Sequence, residues 1–205
     1  MMIAIIDYGM GNLRSVENAL RYLKTDYCIT NDAEVLRKAD GWILPGVGAF
    51  ADCMKQLQAL GLVELLKEEV GNGTKPLLGI CLGMQVLFEE SEEGGLSKGL
   101  GLLKGKVVKM IDPQARIPHI GWNLLEYDQP HPLFTKLSEK PFVYFVHSYY
   151  AVHYDSNILI AHSCYHDLHI CALVAKGHIV GAQFHPEKSG TDGLAILRYF
   201  VEECV

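Results

Sequence analysis

Short strand-like runs that alternate with segments of helical periodicity constrain the fold of this chain more than any other sequence feature. The runs are Met2–Asp7, Tyr27–Thr30, Trp42–Leu44 (which Pro45-Gly46 is expected to end) and Pro76–Ile80. The periodicity predicts helices over Leu13–Leu23, Asp32–Ala39, Ala51–Leu60, Leu62–Val70 and Leu82–Glu90. Strands that alternate with helices over short connections form a parallel sheet with helices on both faces.

The last third of the chain follows a different pattern. Its β-rich runs, separated by turn residues, are Phe142–Val152, Ile158–Tyr165 and Ile170–Phe184, and a closing helix is predicted over Gly190–Cys204. These runs indicate antiparallel strands attached to the parallel core. The expected fold is therefore one domain over residues 1–205, a flavodoxin-like three-layer α/β/α architecture. Its central sheet is mostly parallel, with an antiparallel β extension in the C-terminal third.

Charge and cysteine usage narrow the range of functions. The formal net charge is −6, from 24 acidic and 18 basic residues, and no basic run is present. Neither a nucleic acid nor an anionic membrane is therefore an expected partner. The apolar stretches are shorter than the roughly 18 residues that a membrane helix needs, and the N-terminus does not resemble a signal peptide. Six cysteines without CxxC pairs predict free thiols and a cytoplasmic location.

The segment Gly79-Ile80-Cys81-Leu82-Gly83 has the form G-x-C-x-G at a predicted strand-to-helix junction. This is the cysteine version of a nucleophile elbow, a sharp turn that holds the nucleophile in a strained conformation. The sulfur would lie at the start of the next helix, where the helix dipole favours a thiolate. A small buried core cysteine is the alternative interpretation.

A partner for this thiol is available near the end of the chain, in the segment Gln183-Phe184-His185-Pro186-Glu187-Lys188. Pro186 favours an extended conformation for His185, so His185 and Glu187 are expected to project from one side. A carboxylate that orients an imidazole beside a cysteine forms a nucleophilic triad. The hypothesis is therefore a triad of Cys81, His185 and Glu187.

The motifs GICLGMQ and QFHPEKS resemble those of the class I, triad-type glutamine amidotransferases, and the resemblance extends over the whole chain. Three further motifs resemble the branch of this family that serves imidazole glycerol phosphate synthases in histidine biosynthesis. They are Pro45-Gly46-Val47-Gly48, Pro118-His119-Ile120-Gly121-Trp122-Asn123 and Phe145-Val146-His147-Ser148-Tyr149. The resemblance implies that Cys81 attacks the carboxamide of L-glutamine, that His185 transfers the proton and that Glu187 orients His185.

The same resemblance implies further roles. Backbone N–H groups of Leu82 and of the Val47-Gly48 turn would bind the oxyanion. The residues expected to hold glutamine are Gly46, Gly48, Gln85, Glu93, His147, Ser148 and Tyr149. No cofactor and no metal would be needed.

The ammonia released would pass to a (β/α)8-barrel cyclase subunit, which forms a heterodimer with the glutaminase. This cyclase would make imidazole glycerol phosphate and an aminoimidazole carboxamide ribonucleotide. By resemblance, the residues near the docking face are Asn12, His119, Trp122 and Lys188. The alternative for His119 and Trp122 is a turn packed on the core.

Other functions remain open at the level of sequence. A paralogous glutaminase could supply ammonia to a synthase of surface-sugar precursors, and a catalytically silent subunit could only support its partner. His162, Cys164 and His166 share one strand face, which is a zinc-like pattern, although the resemblance assigns no role to this stretch.

Overall fold

The computed structural model describes all residues, 1–205, and confirms the expected α/β class. The strands are β1 Met2–Ile6, β2 Asp26–Thr30, β3 Gly41–Gly46, β4 Leu77–Cys81, β5 Glu90–Ser91, β6 Ser97–Lys98, β7 Lys106–Lys109, β8 His119–Leu124, β9 Glu126–Tyr127, β10 Phe142–His147, β11 Tyr149–Val152, β12 Leu159–Tyr165, β13 Leu168–Lys176 and β14 Ile179–Ala182. The helices are α1 Leu13–Tyr22, α2 Ala33–Lys38, α3 Phe50–Ala59, α4 Leu62–Gly71, α5 Leu82–Gln85 and α6 Gly190–Tyr199, which continues as a π-helical turn over Phe200–Cys204. None of these helices combines the length and the apolar character needed to cross a lipid bilayer.

The central sheet has eight strands in the order β2-β1-β3-β4-β14-β13-β12-β9. The first five are parallel to one another, and the last three pair antiparallel. The predicted runs Ile158–Tyr165 and Ile170–Phe184 thus continue the same sheet as antiparallel strands, whereas the predicted run Phe142–Val152 splits into β10 and β11, outside this sheet. Two smaller sheets, β11-β7-β5-β6 and β10-β8, lie beside its carboxyl edge and contribute residues to the cavity described below.

Both faces of the sheet are apolar because successive side chains of a strand point to opposite sides. In β1, Ile3 and Ile5 pack in a cluster with α1 and α6, whereas Ala4 and Ile6 pack in a second cluster with α2, α3 and α4. All four side chains are fully buried. This arrangement produces the three layers and leaves the carboxyl ends of the parallel strands open.

The predicted helix Leu82–Glu90 is wrong beyond Gln85. Leu87 and Phe88 donate their N–H groups three residues back, to Met84 and Gln85, so the chain tightens instead of continuing as an α-helix. The carbonyl groups that a longer helix would use accept bonds from the segment that follows: the Leu100, Leu103 and Gly101 N–H groups bond to Val86, Leu87 and Phe88. Hydrogen bonds from the segment 100–103 therefore replace the bonds that a longer helix would form.

Pro45 and Gly46 do not end the third strand, as the sequence predicts, but belong to it. Pro45 pairs with Ile80, and Gly46 pairs with Cys81. The missing N–H of Pro45 breaks no ladder bond on the β1 side, because β1 pairs with β3 only as far as Ile43. The Pro45 carbonyl accepts a 2.8 Å hydrogen bond from the hydroxyl of Tyr8.

The glycines around Cys81 allow β4 and α5 to lie in direct backbone contact with their neighbours. A Cβ atom at Gly83 would overlap the carbonyl of Leu44, and one at Gly79 would lie 2.7 Å from the carbonyl oxygen of Gly83. Both contacts involve backbone, which cannot rotate away as a side chain can. The G-x-C-x-G pattern is therefore required by packing.

We expect Gly83→Ala to lower the free energy of unfolding by about 1–3 kcal/mol or more, since the added methyl group has no space. Urea denaturation measures the change. The matched control is Gly71→Ala in the last turn of α4, where the new methyl group would meet only Leu102 at 3.6 Å. This control should be neutral or stabilising by about 0.4–1 kcal/mol. Equal stability of the two variants would contradict the packing argument.

Candidate active site

Cys81 is the last residue of β4, in the middle of the central sheet, and it has a strained backbone. Its φ is 54° and its ψ is −110°, a combination that residues other than glycine rarely adopt. Such strain persists only where the surroundings enforce it, and it is concentrated at functional sites. The thiol is buried except for a small fraction and faces a cavity.

His185 reaches this cysteine because β14 pairs with β4 in parallel, with Ala182 opposite Ile80. The chain leaves β14 at the same edge of the sheet, and His185 follows three residues later. The His185 N–H donates to the Tyr144 carbonyl at 2.9 Å, and the Ser189 hydroxyl donates to the His185 carbonyl at 2.6 Å. The backbone of His185 is therefore fixed from both sides.

Glu187 holds the His185 ring, as the sequence predicts, although by a different local geometry. The chain does not stay extended: Pro186–Lys188 form a 3₁₀ turn, which brings Oε1 of Glu187 to 2.8 Å from Nδ1 of His185. Both side chains are almost completely buried, at 3% and 1% exposure. Since a carboxylate only accepts, Nδ1–H donates, and Nε2 of His185 has no hydrogen-bond partner of its own.

The environment of His185 favours the protonated ring. Burial by itself lowers the pKa of His185, but the neighbouring Cys81 and Glu187 outweigh burial and raise this pKa to about 9. A thiol, an imidazole and a carboxylate thus form one continuous row, with the carboxylate on the far side of the ring from the cavity.

A cavity of about 330 Å³ lies above Cys81 and has the size of a small-molecule site. Its lining residues are Val47, Gly48, Cys81, Leu82, Gln85, Glu93, Pro118, Val146, His147, Ser148, Tyr149 and His185. Most residues that the sequence analysis assigned to the oxyanion or to glutamine are among them. Gly46 is the exception: it lies below the cavity, where a Cβ atom would meet the Tyr8 hydroxyl at 2.7 Å.

Two glutamine side chains connect the cavity wall to the thiol. Nε2 of Gln85 donates to the Tyr149 carbonyl at 2.9 Å and to Oε1 of Gln183 at 3.0 Å, and Nε2 of Gln183 lies 3.8 Å from the sulfur of Cys81. Gln183 is completely buried. Gln183 was not among the site residues predicted from the sequence. The available signal was a polar glutamine that follows an apolar run and stands two residues before the candidate histidine.

A buried histidine pair supports the wall that carries Ser148. His119 of β8 lies directly opposite His147 of β10, and Nδ1 of His119 is 3.2 Å from Nε2 of His147. Nδ1 of His147 donates to the Tyr149 carbonyl at 2.8 Å, so its Nε2 accepts and Nδ1 of His119 donates. Burial lowers the pKa values of His119 and His147 to about 4 and 3, so both rings are neutral.

Three other predicted residues line the cavity. Glu93 lines the cavity, and its Oε2 accepts the Phe50 N–H at 2.8 Å, which satisfies an N–H group at the start of α3. Val47 is 44% exposed, and Gly48 has a φ of +102°, which favours glycine. The Val47-Gly48 turn is thus an exposed rim of the cavity.

The four residues expected at a docking face differ in accessibility. Trp122 is 55% exposed, Lys188 is exposed and Asn12 is half-buried at the start of α1. His119 is 2% exposed, because its ring is stacked between Phe145 and Tyr165. The His119–Trp122 segment is a strand and not a turn, so alternate residues face inward and outward.

Comparisons with known proteins agree with this geometry. A model of the family described as glutamine amidotransferase class-I matches residues 4–204. The chain is 51% identical over 204 residues to the "Imidazole glycerol phosphate synthase subunit HisH" of Geobacillus sp. (strain WCH70), covering 97% of this chain and 95% of that protein. It is 52% identical over 199 residues to the protein of the same name from Bacillus cereus (strain G9842), covering 97% and 93%.

A solved structure shows the same fold. The crystal structure of a glutamine amidotransferase superposes with a TM-score of 0.76 at 22% identity and covers 98% of both chains. At 22% identity this similarity shows the fold alone. The family assignment comes from the sequence, through the family model and the relatives about 50% identical. The chain belongs to the class I glutamine amidotransferase family.

Proposed function

We propose that this chain is the glutaminase subunit of an imidazole glycerol phosphate synthase of histidine biosynthesis. It hydrolyses L-glutamine to glutamate and ammonia and passes the ammonia to a synthase subunit. The observation that carries the proposal is the row Cys81, His185 and Glu187 at the edge of one cavity. Relatives about 50% identical over nearly the whole chain bear the name of this synthase subunit.

In the proposed reaction, the Cys81 proton has already moved to Nε2 of His185, whose raised pKa keeps the ring charged, and the sulfur then attacks the carboxamide carbon of glutamine. The tetrahedral intermediate collapses to a thioester when His185 returns the proton to the leaving ammonia. His185 then deprotonates a water molecule, which hydrolyses the thioester to glutamate and regenerates the thiol. The 2.8 Å bond from Nδ1 to Glu187 supports these steps, because it fixes the ring and leaves Nε2 as the nitrogen without a partner.

The negative oxygen of the intermediate requires N–H donors. We assign them to the backbone of Leu82, next to the nucleophile, and to the Val47-Gly48 turn. One such donor is worth roughly 2.7–4 kcal/mol of barrier in a comparable enzyme. The turn lies at the exposed rim and contains a glycine with positive φ, so its peptide can change orientation when a partner covers it.

The remaining cavity residues would hold the substrate. Gln85 uses both N–H bonds for Tyr149 and Gln183, which leaves its Oε1 to accept from glutamine. Glu93 brings a carboxylate to the cavity, suited to the α-ammonium group, and Ser148 offers a hydroxyl. The neutral His147 adds no positive charge that would repel this ammonium.

The partner in this proposal is a (β/α)8-barrel cyclase that docks over the cavity mouth. A covered mouth keeps ammonia from the bulk solvent, where protonation would remove its lone pair. Trp122 and Ile120 are 55% and 59% exposed and lie two residues apart on β8, so they form one apolar face. Asn12 and Lys188 are the other two residues of the proposed docking face. His119 is buried and supports β8 from its inner side.

Cys81→Ala should abolish glutamine hydrolysis, with a loss on the order of 10⁴-fold or more, because Cys81 is the only cysteine that lines the cavity. Synthesis from added ammonium salt by the complex with the synthase should persist. The matched control is Cys28→Ala on β2, an outer strand of the sheet three strands away from β4, which should keep both activities. Loss of both activities in Cys81→Ala would mean that Cys81 serves assembly and not chemistry.

The pH profile of kcat/KM for glutamine should fall on its alkaline side near pH 9, where the charged form of His185 is lost. Glu187→Gln removes a negative charge that raises this pKa, so the alkaline limb should move to lower pH by roughly one to three pH units. The control Glu202→Gln changes an exposed carboxylate of the terminal turn and should leave the profile in place. An unmoved limb in Glu187→Gln would contradict the assignment.

The isolated chain should hydrolyse glutamine slowly and should accelerate when the synthase binds with its acceptor ligand. Trp122→Ala should raise the synthase concentration needed for half-maximal acceleration roughly tenfold or more, since an exposed tryptophan is a typical anchor. Its matched control is Tyr22→Ala, also exposed but at the far end of α1 from Asn12. Equal turnover with and without the synthase, or equal effects of the two variants, would refute the docking face.

A further inference from the structure

We propose that the outer edge of the central sheet carries a binding site for a divalent transition-metal cation of the zinc type, formed by Glu126, His162 and Cys164. None of these residues lines the cavity above Cys81. The proposal is therefore independent of the glutaminase reaction.

Strand pairing brings the three donors together. His162 of β12 lies directly opposite Glu126 of β9, the edge strand of the sheet. Cys164 follows His162 by two residues and so projects from the same face. One ligand atom from each of the three residues lies within 4.8 Å of the other two.

Asp128 fixes the orientation of the His162 ring. Its Oδ2 lies 2.9 Å from Nδ1 of His162, and because a carboxylate accepts, the neutral ring carries its proton on Nδ1. The lone pair of Nε2 is then directed away from Asp128, and Nε2 lies 4.0 Å from Oε1 of Glu126. A carboxylate behind a histidine whose second nitrogen is free is the usual outer contact of a metal-binding histidine.

His169 of β13 holds the same ring from its face. It pairs across the strands with Cys164, and its ring stacks on His162 with centroids 3.8 Å apart and planes 20° apart. The ring of His162 is thus held by a hydrogen bond and by a stack. Glu126 and Cys164 are exposed, so an ion can enter from solvent.

The donor set matches zinc. A thiolate, an imidazole and a carboxylate are common zinc ligands, and bond lengths of 2.0–2.3 Å in a tetrahedron separate the donors by roughly 3.3–3.8 Å. Small side-chain rotations bring the present positions to that spacing. The fourth position is left to water.

The zinc-like pattern seen in the sequence is only partly the one that the fold assembles. His162 and Cys164 belong to the cluster, but His166 lies in the turn after β12 with a φ of 53°, and its ring packs edge-on against Tyr165. Glu126 takes its place as a ligand, and Asp128 holds the His162 ring through Nδ1. They lie more than thirty residues earlier in the chain, so sequence spacing does not indicate them.

The experiment uses the full chain with Cys81→Ala, which removes the active-site thiol from competition, produced without a tag and stripped with a chelator. Titration with Co²⁺ should give a thiolate-to-cobalt charge-transfer band and the strong visible bands of a four-coordinate ion. Zn²⁺ should displace Co²⁺ at one ion per chain. Zn²⁺ should also raise the midpoint of thermal unfolding, because it joins β9 to β12.

In the same background, Cys164→Ser should abolish the charge-transfer band and His162→Gln should weaken binding at least tenfold. Asp128→Asn should weaken binding roughly 10–100-fold while the band remains. The controls Cys28→Ser and His166→Gln should bind as the parent does. Circular dichroism without metal verifies that each variant is folded.

Two results would overturn the proposal. One is a parent chain that gives no charge-transfer band with Co²⁺, in which case the cluster is an ion pair of His162 with the two carboxylates only. The other is a band that persists in Cys164→Ser, which would place the metal elsewhere.

Discussion

The parallel pairing of β4 with β14 is the constraint on which the rest of the structure depends. It aligns Ile80 with Ala182 and so brings two segments a hundred residues apart to one edge of the sheet. Cys81 ends one strand, and His185 follows the other. Because both strands are buried inside an eight-stranded sheet, the sheet itself sets the distance between thiol and imidazole. A chain that did not form this pair would have neither a cavity nor a triad.

The three buried histidines at the site differ in the direction in which their pKa values are shifted. His185 lies between Cys81 and Glu187 and has a raised pKa, whereas burial lowers the pKa values of His119 and His147, which have no acidic partner, and the charges of His119 and His185 lower that of His147 further. Burial acts in the same direction on all three, so the partner decides the outcome. The cavity therefore contains one imidazole suited to proton transfer and one suited to hydrogen bonding.

The errors of the sequence analysis have a common physical cause. The helix after Cys81 ends at Gln85 because tertiary bonds take the carbonyl groups of Val86, Leu87 and Phe88, and no local pattern reports such competition. His119 was expected near a partner, but the alternation of a strand that the sequence analysis did not predict turns it inward. In both cases a residue far along the chain decided the local structure.

The sequence by itself determined the α/β class, the succession of the main strands and helices along the chain and the elbow at Cys81. These follow from local signals, namely apolar periodicity and paired glycines. The spacing around Pro186 predicted the contact of His185 with Glu187, but through an extended segment, whereas the structure makes it through a 3₁₀ turn. Only the tertiary structure decided that Gln183 contacts the thiol, that His119 and His147 form a neutral pair, and that Glu126 joins His162 and Cys164. Each of these contacts crosses between strands, and the register that creates it depends on the packing of the whole sheet.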